Sequence, residues 1–471
     1  MKQQRTTHWS ALLALGLSIA CLFTGCGGDL TAGIQGSGLT GVASAGPITG
    51  FGSIFVGGVE YSTSGAQISI DDAPAGESQL RVGQIVAIKG TLDADGVTGI
   101  ATTVSFSSDV RGLITQIDAN AGVFVVLGQT VRVTDATSFD DSFTTALSGI
   151  PVGSLVQVSG FPDSAGVLLA SRVEPASASS PLQVRGTVQS LDTTAHTFRI
   201  NTLTVDYSAV APSGTLANGA FVIVQGSSLS GAGALIATRV KVVTGLGASA
   251  SDRGQVEGVI TTFTSNTSFS VAGQTVSANA NTQVSPPGAT LGLDVRVKVQ
   301  GTFDAAGVLV AERIEVRPQS LSLVRGLVDA VSASAHTLTV LGVNVSTSSA
   351  TSFEDRSSQH VRSFGLADVR TGDYVEVRGT TDAGVTLQAS SLDRYNGENR
   401  SYLQGIARNV SAPNLTVIGI TVATDAQTQF LGPGGPNAAA QFFADAPDQF
   451  VRVRGTLVGT AFVADQAQIT H

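Results

Sequence analysis

Four histidines lie beyond the first thirty residues, His196, His336, His360 and His471, and none has a partner at metal-ligand spacing. A zinc site or catalytic dyad usually announces itself by an i, i+4 histidine pair or a nearby cysteine. His196 and His336 instead occupy the same place in two related phrases, AHTFRI and AHTLTV, and read as residues at hairpin ends. Residues 93–96, Asp-Ala-Asp-Gly, begin like a calcium loop, but its twelfth position, where a bidentate Glu belongs, is Val104. A register-keeping turn is the better explanation. Residues 36–41, GSGLTG, satisfy G-x-G-x-x-G without the preceding strand that a dinucleotide site needs, and read as a flexible spacer. No nucleophile elbow, H-E-x-x-H or P-loop occurs, so neither metal nor cofactor is expected. The densest polar and aromatic stretch is residues 393–402. There Arg394, Tyr395, Asn396, Glu398, Arg400 and Tyr402 combine donors, acceptors and two rings, and form a candidate binding surface. His360 and Arg362, in the long loop 354–362, join it as candidates. A hydrolytic site, if the chain carried one, would have to use these loops, with Glu354, Asp355 and His360 as its chemistry.

The elements that must position these residues are strands. Gly (55 residues), Val, Thr, Ser and Ala dominate, while charged residues make up only 13%. That is an all-β profile. A marker recurs six times: VAIKG ending at Gly90, VQVSG at Gly160, VIVQG at Gly226, VKVQG at Gly301, VEVRG at Gly379 and VRVRG at Gly455. Aliphatics alternate with polar residues such as Gln157, Lys298, Glu376 and Arg452, so one face should be buried and the other should meet water. Related opening phrases keep step with the marker: VRGLITQID, VRGTVQSLD, VEGVITTFT, VRGLVDAVS and LQGIARNVS. Glycine-centred hairpins (VVLGQTVRV, TVLGVNVST) and closing phrases (GVLLASRVE, GVLVAERIE) complete the unit.

Each unit therefore has about five strands: opener, two hairpin strands, marker strand and closing strand. A stretch of variable length separates the third from the fourth. It is longest at residues 353–373 and 430–449, each led by a Thr-x-Phe step at Thr351 or Thr428. Five strands with room for a short helix after the third is the order of an OB-like barrel. Sandwich repeats and a six-bladed propeller are the competing architectures. The expected organisation is a signal segment 1–25, a Gly-rich tether 26–45, and repeats at 46–108, 109–179, 180–248, 249–319, 320–395 and 396–471. Units of this size are near the lower limit for an independent core, so neighbours should pack together, as a semi-rigid rod.

At the N-terminus Lys2 and Arg5 precede an uncharged apolar stretch, residues 9–23. It is shorter than the ~20 residues of a membrane-spanning helix and reads as a signal peptide. It ends in Leu22-Phe23-Thr24-Gly25-Cys26, which resembles the lipobox of bacterial lipoproteins. The resemblance implies removal of residues 1–25 and lipid attachment at Cys26, although Phe23 stands where Leu is more usual. The only other cysteine, Cys21, would leave with the signal. Gly27 follows, where an Asp would resemble an inner-membrane retention signal, so the outer membrane is the expected location. Without Lys2 and Arg5 the chain keeps 24 basic against 35 acidic residues, a net charge of −11 that disfavours nucleic acid as a partner.

The repeated VRGxV…VxVxG…GVLxAxRVE pattern resembles bacterial domains of unknown function of the DUF5666 type. That resemblance covers nearly all the chain from about Gly46 and implies tandem domains in secreted proteins and lipoproteins. It supplies no catalytic residues. The first unit departs most, since its opener, GPITGFGSI, lacks Val-Arg-Gly. The functional expectation is a non-enzymatic, lipid-anchored envelope protein acting as spacer and binding scaffold, with envelope protein or polysaccharide as partner. The alternatives are a carbohydrate-binding or sugar-processing protein using the long loops of repeats 5 and 6, and a surface adhesin.

Overall fold

Alternation along the marker strand sorts the side chains to two faces. In Arg296–Phe303 of the fourth unit, Val297 and Val299 are fully buried in the barrel core. The opener Arg253–Ser265 pairs antiparallel with that strand and with the first hairpin strand, Ser268–Val271. The second hairpin strand, Gln274–Ser277, runs parallel to the closing strand Leu309–Arg317, which returns antiparallel to the marker strand. The circuit opener, hairpin one, hairpin two, closer, marker, opener is closed. Its order, 1-2-3-5-4-1, is that of a five-stranded OB-like barrel. The same circuit closes in all six units. A computed structural model describes residues 40–469 except 120, 135–136, 144–145, 244, 318–321, 350, 383–385, 433–434, 437 and 460. Cys26, the signal-like segment and His471 lie outside the described residues.

Closing a barrel from short strands needs a sharp bend, and a β-bulge supplies it. In every unit the register slips at the marker glycine, as between Gln300 and Gly301 or Arg378 and Gly379. A Cβ at Gly301 would stand 2.0 Å from the Val310 carbonyl oxygen, and one at Gly379 would stand 1.9 Å from that of Gln388. The glycine ending each VxVxG phrase is thus a closure device. A threonine latches the bend in four units. Thr137, Thr282, Thr351 and Thr428 donate their hydroxyls to the carbonyls of Ala170, Ala311, Ala389 and Ala464, at 2.7 or 2.8 Å. Each of these alanines faces a marker glycine. The Thr-x-Phe step is therefore a lock on the bulge. The segment between third and fourth strands forms 3₁₀ turns at Glu77–Gln79, Ala146–Gly149 and Leu366–Asp368. In the sixth unit it forms an α-helix, Ala439–Asp445, whose buried Phe442 packs 5.1 Å from Phe430.

Three expectations change. The first opener is Thr40–Gly50, so a strand begins inside the stretch read as tether 26–45. Its small residues are wanted there: Ala43 and Ser44 are fully buried between the marker strand Ile85–Leu92 and the fourth unit's opener. Gly46 faces Val86 as Gly258 faces Val297, so Ser44-Ala45-Gly46 stands where later units read Val-Arg-Gly or Val-Glu-Gly. The polar faces of the openers and marker strands do not all meet water either. Arg111, Gln183, Glu257, Lys298, Glu376 and Gln404 are buried, because this outer surface faces another barrel.

The barrels are not strung as a rod. Openers pair across units, joining repeat 2 to 3 (Val110 facing Val184) and repeat 5 to 6 (Val324 facing Leu403), both antiparallel. Repeat 1 joins repeat 4, with Val42 facing Arg253 in parallel. The result is three sheets of two barrels each. Repeats 2 and 3 share one continuous apolar core, as do 5 and 6. A core that one small barrel could not complete is extended through its neighbour.

Candidate functional site

The long-loop residues singled out by sequence are largely committed to partners elsewhere in the protein. Arg394 is buried and donates through Nε and Nη2 to both oxygens of Asp355, at 3.1 and 2.5 Å, with its guanidinium 4.6 Å from the Phe364 ring centroid. Tyr395 and Tyr402 do form an aromatic wall, together with Tyr374, but a cation from the chain itself fills it. The Arg325 guanidinium lies 4.4, 5.6 and 5.5 Å from those three rings and pairs with Glu376 and Glu398. Asn396 accepts from the Ser358 amide, and Arg400 pairs with Asp465 at 3.2 Å. Arg362 leaves this patch for the first unit. It stacks 3.9 Å over Phe51 and donates to the carbonyls of Leu80 and Glu77. His360 stays exposed, 3.6 Å from Asp141 of the second unit. His196 and His336 both adopt φ 54° at hairpin turns, and Asp95 accepts the Val97 and Thr98 amides in the turn at residues 93–96. No group of three or more potential metal ligands occurs among the described residues.

What the sequence did not disclose is a cavity of about 700 Å³ where four units meet. The first unit contributes Pro47, Thr49 and Val82, and the second Ser138 and Ser171. The fourth supplies Glu257, Arg296, Glu315 and Arg317, and the fifth Glu354, Arg378 and Asp393 with a row of serines and threonines. Arg296 and Arg317 sit directly opposite each other on neighbouring strands. Like charges so placed repel. Glu257 and Glu315 relieve them, each pair closing at 2.7 Å. Burial alone would raise the Glu257 pKa, but Arg296, Arg317 and Lys298 hold it below the usual carboxylate range. The only sequence signal for this site was a charged residue inside some of the strand phrases, such as Glu257 and Arg378, which period-two reasoning sends to solvent.

Around the cavity, ion pairs knit units together. Arg172 donates to the Val82 carbonyl of unit one, pairs with Glu174 at 2.7 Å, and reaches Glu354 of unit five at 3.6 Å. Arg356 answers from unit five, bonding Ser138 and the Phe139 carbonyl of unit two and lying 3.3 Å from Asp393. Asp393 is buried, and desolvation pushes its pKa up to about 6 despite Arg356 and Arg378, with Glu354 and Glu376 adding to the rise. A carboxyl with a raised folded-state pKa favours folding most below its unfolded value near 4, and that advantage is lost as pH rises through about 6. Asp393→Asn should therefore flatten the fall in urea midpoint between pH 4.5 and 7, and should raise the midpoint at pH 7.5. An unchanged pH profile in the variant would refute this assignment of the titrating group.

Six successive segments of the chain, residues 40–105, 111–174, 185–241, 257–315, 325–393 and 404–466, match one family, the domain of unknown function DUF5666. The chain belongs to the DUF5666 family. Each DUF5666 segment coincides with one barrel circuit to within a few residues at either end, and the first begins at Thr40 with the opener described above. No curated protein matches the chain. In this member, the outer face of the DUF5666 barrel carries equivalent charges in opposite senses. Glu257 and Lys298 of the fourth domain correspond in register to Arg325 and Glu376 of the fifth.

Proposed function

We propose that the protein is a non-enzymatic lipoprotein of the bacterial envelope, anchored through Cys26, whose six barrels form a scaffold that binds other envelope components. The observation that carries this reading is the fate of the loop carboxylates. Glu354 and Asp355, the acids a hydrolase in the long loops would need, are paired with Arg356 and Arg394. Charged side chains here hold domains to one another, as a scaffold requires. The Gly25-Cys26 step after an apolar segment supports the anchor. Two or three acyl chains would hold the protein firmly, at roughly 0.8 kcal/mol per buried methylene. The outer membrane is the proposed location.

Expression in a bacterial host with an alkyne-tagged fatty acid tests the anchor. The wild-type protein should incorporate label, fractionate with membranes and give a modified N-terminal peptide starting at Cys26. Cys26→Ser should lose the label and retain residues 1–25. Mass spectrometry showing an unmodified Cys26 within an intact N-terminus of the wild type would end the proposal.

A further inference from the structure

The cavity's walls carry a specific mixture of groups. Glu257, Glu315, Glu354 and Asp393 face Arg296, Arg317 and Arg378, so the lining is close to electrically balanced. Such a wall offers no net attraction to a strongly charged ligand. It does offer planar side chains that can donate or accept two hydrogen bonds at once. Ser348, Ser352, Thr380, Thr381, Ser390 and Ser391 add hydroxyls along the fifth domain's side. Pro47, Val82 and Pro286 give small apolar surfaces, and no aromatic ring lines the space.

Two cations stand at this wall. The Nε atoms of Arg296 and Arg317 are buried, and among the described residues they meet no acceptor. Both residues line the cavity, on the adjacent strands described above. Each of these side chains is 21% exposed, so the outer guanidinium nitrogens, and not the enclosed Nε atoms, are what a ligand's oxygens can meet at this wall. A volume of about 700 Å³ lies within the usual range of small-molecule sites.

We infer that this cavity binds a neutral, hydroxyl-rich ligand, a short oligosaccharide, with Arg296 and Arg317 donating to its oxygens and Glu315, Glu354 and the serine–threonine wall engaging its hydroxyls. The site is built between the outer walls of four barrels, and it needs repeats 1, 2, 4 and 5 together. The inference gives the scaffold reading its ligand class and rests on that reading for its biological setting, though not for its chemistry.

Isothermal titration of the full chain in detergent with maltotriose, cellotriose, chitotriose and raffinose tests it. At least one is expected to bind with a dissociation constant of about 1 mM or tighter. Arg317→Gln should weaken that binding roughly tenfold. Ser391→Trp and Thr381→Trp, which fill the cavity from different strands, should each abolish it while circular dichroism shows the β-rich fold retained. Binding that survives both tryptophan variants would overturn the inference. So would failure of every neutral sugar, or binding of citrate or phosphate at this wall in their place. Those outcomes would leave the anchored-scaffold reading standing, whereas an unlipidated, soluble wild-type protein that still binds sugar would overturn the anchor alone.

Discussion

Replacing Gly301 by alanine should destabilise the paired first and fourth barrels by about 3–5 kcal/mol, among the largest effects a single methyl group can have in this protein. The added carbon would lie 2.0 Å from the Val310 carbonyl oxygen, a backbone atom with no rotamer to escape into. Relief requires opening the bulge between Gln300 and Gly301, and with it the contact between marker and closing strands. Opening it also disturbs the Thr282 latch on Ala311. The damage should spread to the first unit, because the fourth unit's opener is bonded to strand Thr40–Gly50. Gly292→Ala is the control: a Cβ there meets nothing within 4 Å, so its unfolding free energy in urea titration should stay within about 0.5 kcal/mol of wild type. Equal midpoints for the two variants would remove the bulge from the explanation of barrel closure.

Arg394→Met should cost a comparable amount, about 3–5 kcal/mol, because it strands a buried carboxylate. The Asp355 side chain is fully buried and takes two guanidinium bonds, while its remaining capacity is met by the Ser357 and Val361 amides at 3.0 and 2.8 Å. Burial pushes the Asp355 pKa up, but hydrogen bonds from Arg394, Ser357 and Val361 outweigh it and hold the group well below the usual carboxylate range. A depressed folded-state pKa stabilises above the unfolded value near 4, and the contribution is lost as pH falls toward the folded value. The variant should therefore lose most at neutral pH and approach wild type in acid. Adding Asp355→Asn should restore much of the loss, since the residual amide needs no cation. A double-mutant cycle in urea with a coupling energy near zero would show that the pair does not work as a unit.

The two variants probe features that differ in how far they could be read from sequence. The bulge glycine is conspicuous, since it ends a V-x-V-x-G phrase five times and the related V-x-I-x-G phrase once. Arg394 was visible as part of a polar, aromatic stretch, and so resembled a recognition surface. Its actual partner, Asp355, lies 39 positions away on a strand that pairs in parallel with its own. The Tyr395 and Tyr402 rings are a similar case. Aromatics that look free to stack on a ligand are already stacked on Arg325, which belongs to the fifth unit's opener. Local composition shows which groups are present, but a cation contributed from a distant strand leaves no local trace.

The amino-acid sequence alone determined that this is a chain of strands, six repeats long, each able to close into the same small barrel. Period-two alternation, hairpin glycines and the marker glycine act within a few residues of one another, so they are legible in one dimension. Only the tertiary structure decided that repeat 1 seeks repeat 4 while 2 joins 3 and 5 joins 6, and that a charged cavity opens where four of them meet. Contacts between the outer faces of the barrels belong to the same level, as where Arg172 of the second unit donates to the Val82 carbonyl of the first and reaches Glu354 of the fifth. Complementarity of that kind is a property of two surfaces brought together, and it has no period along the chain.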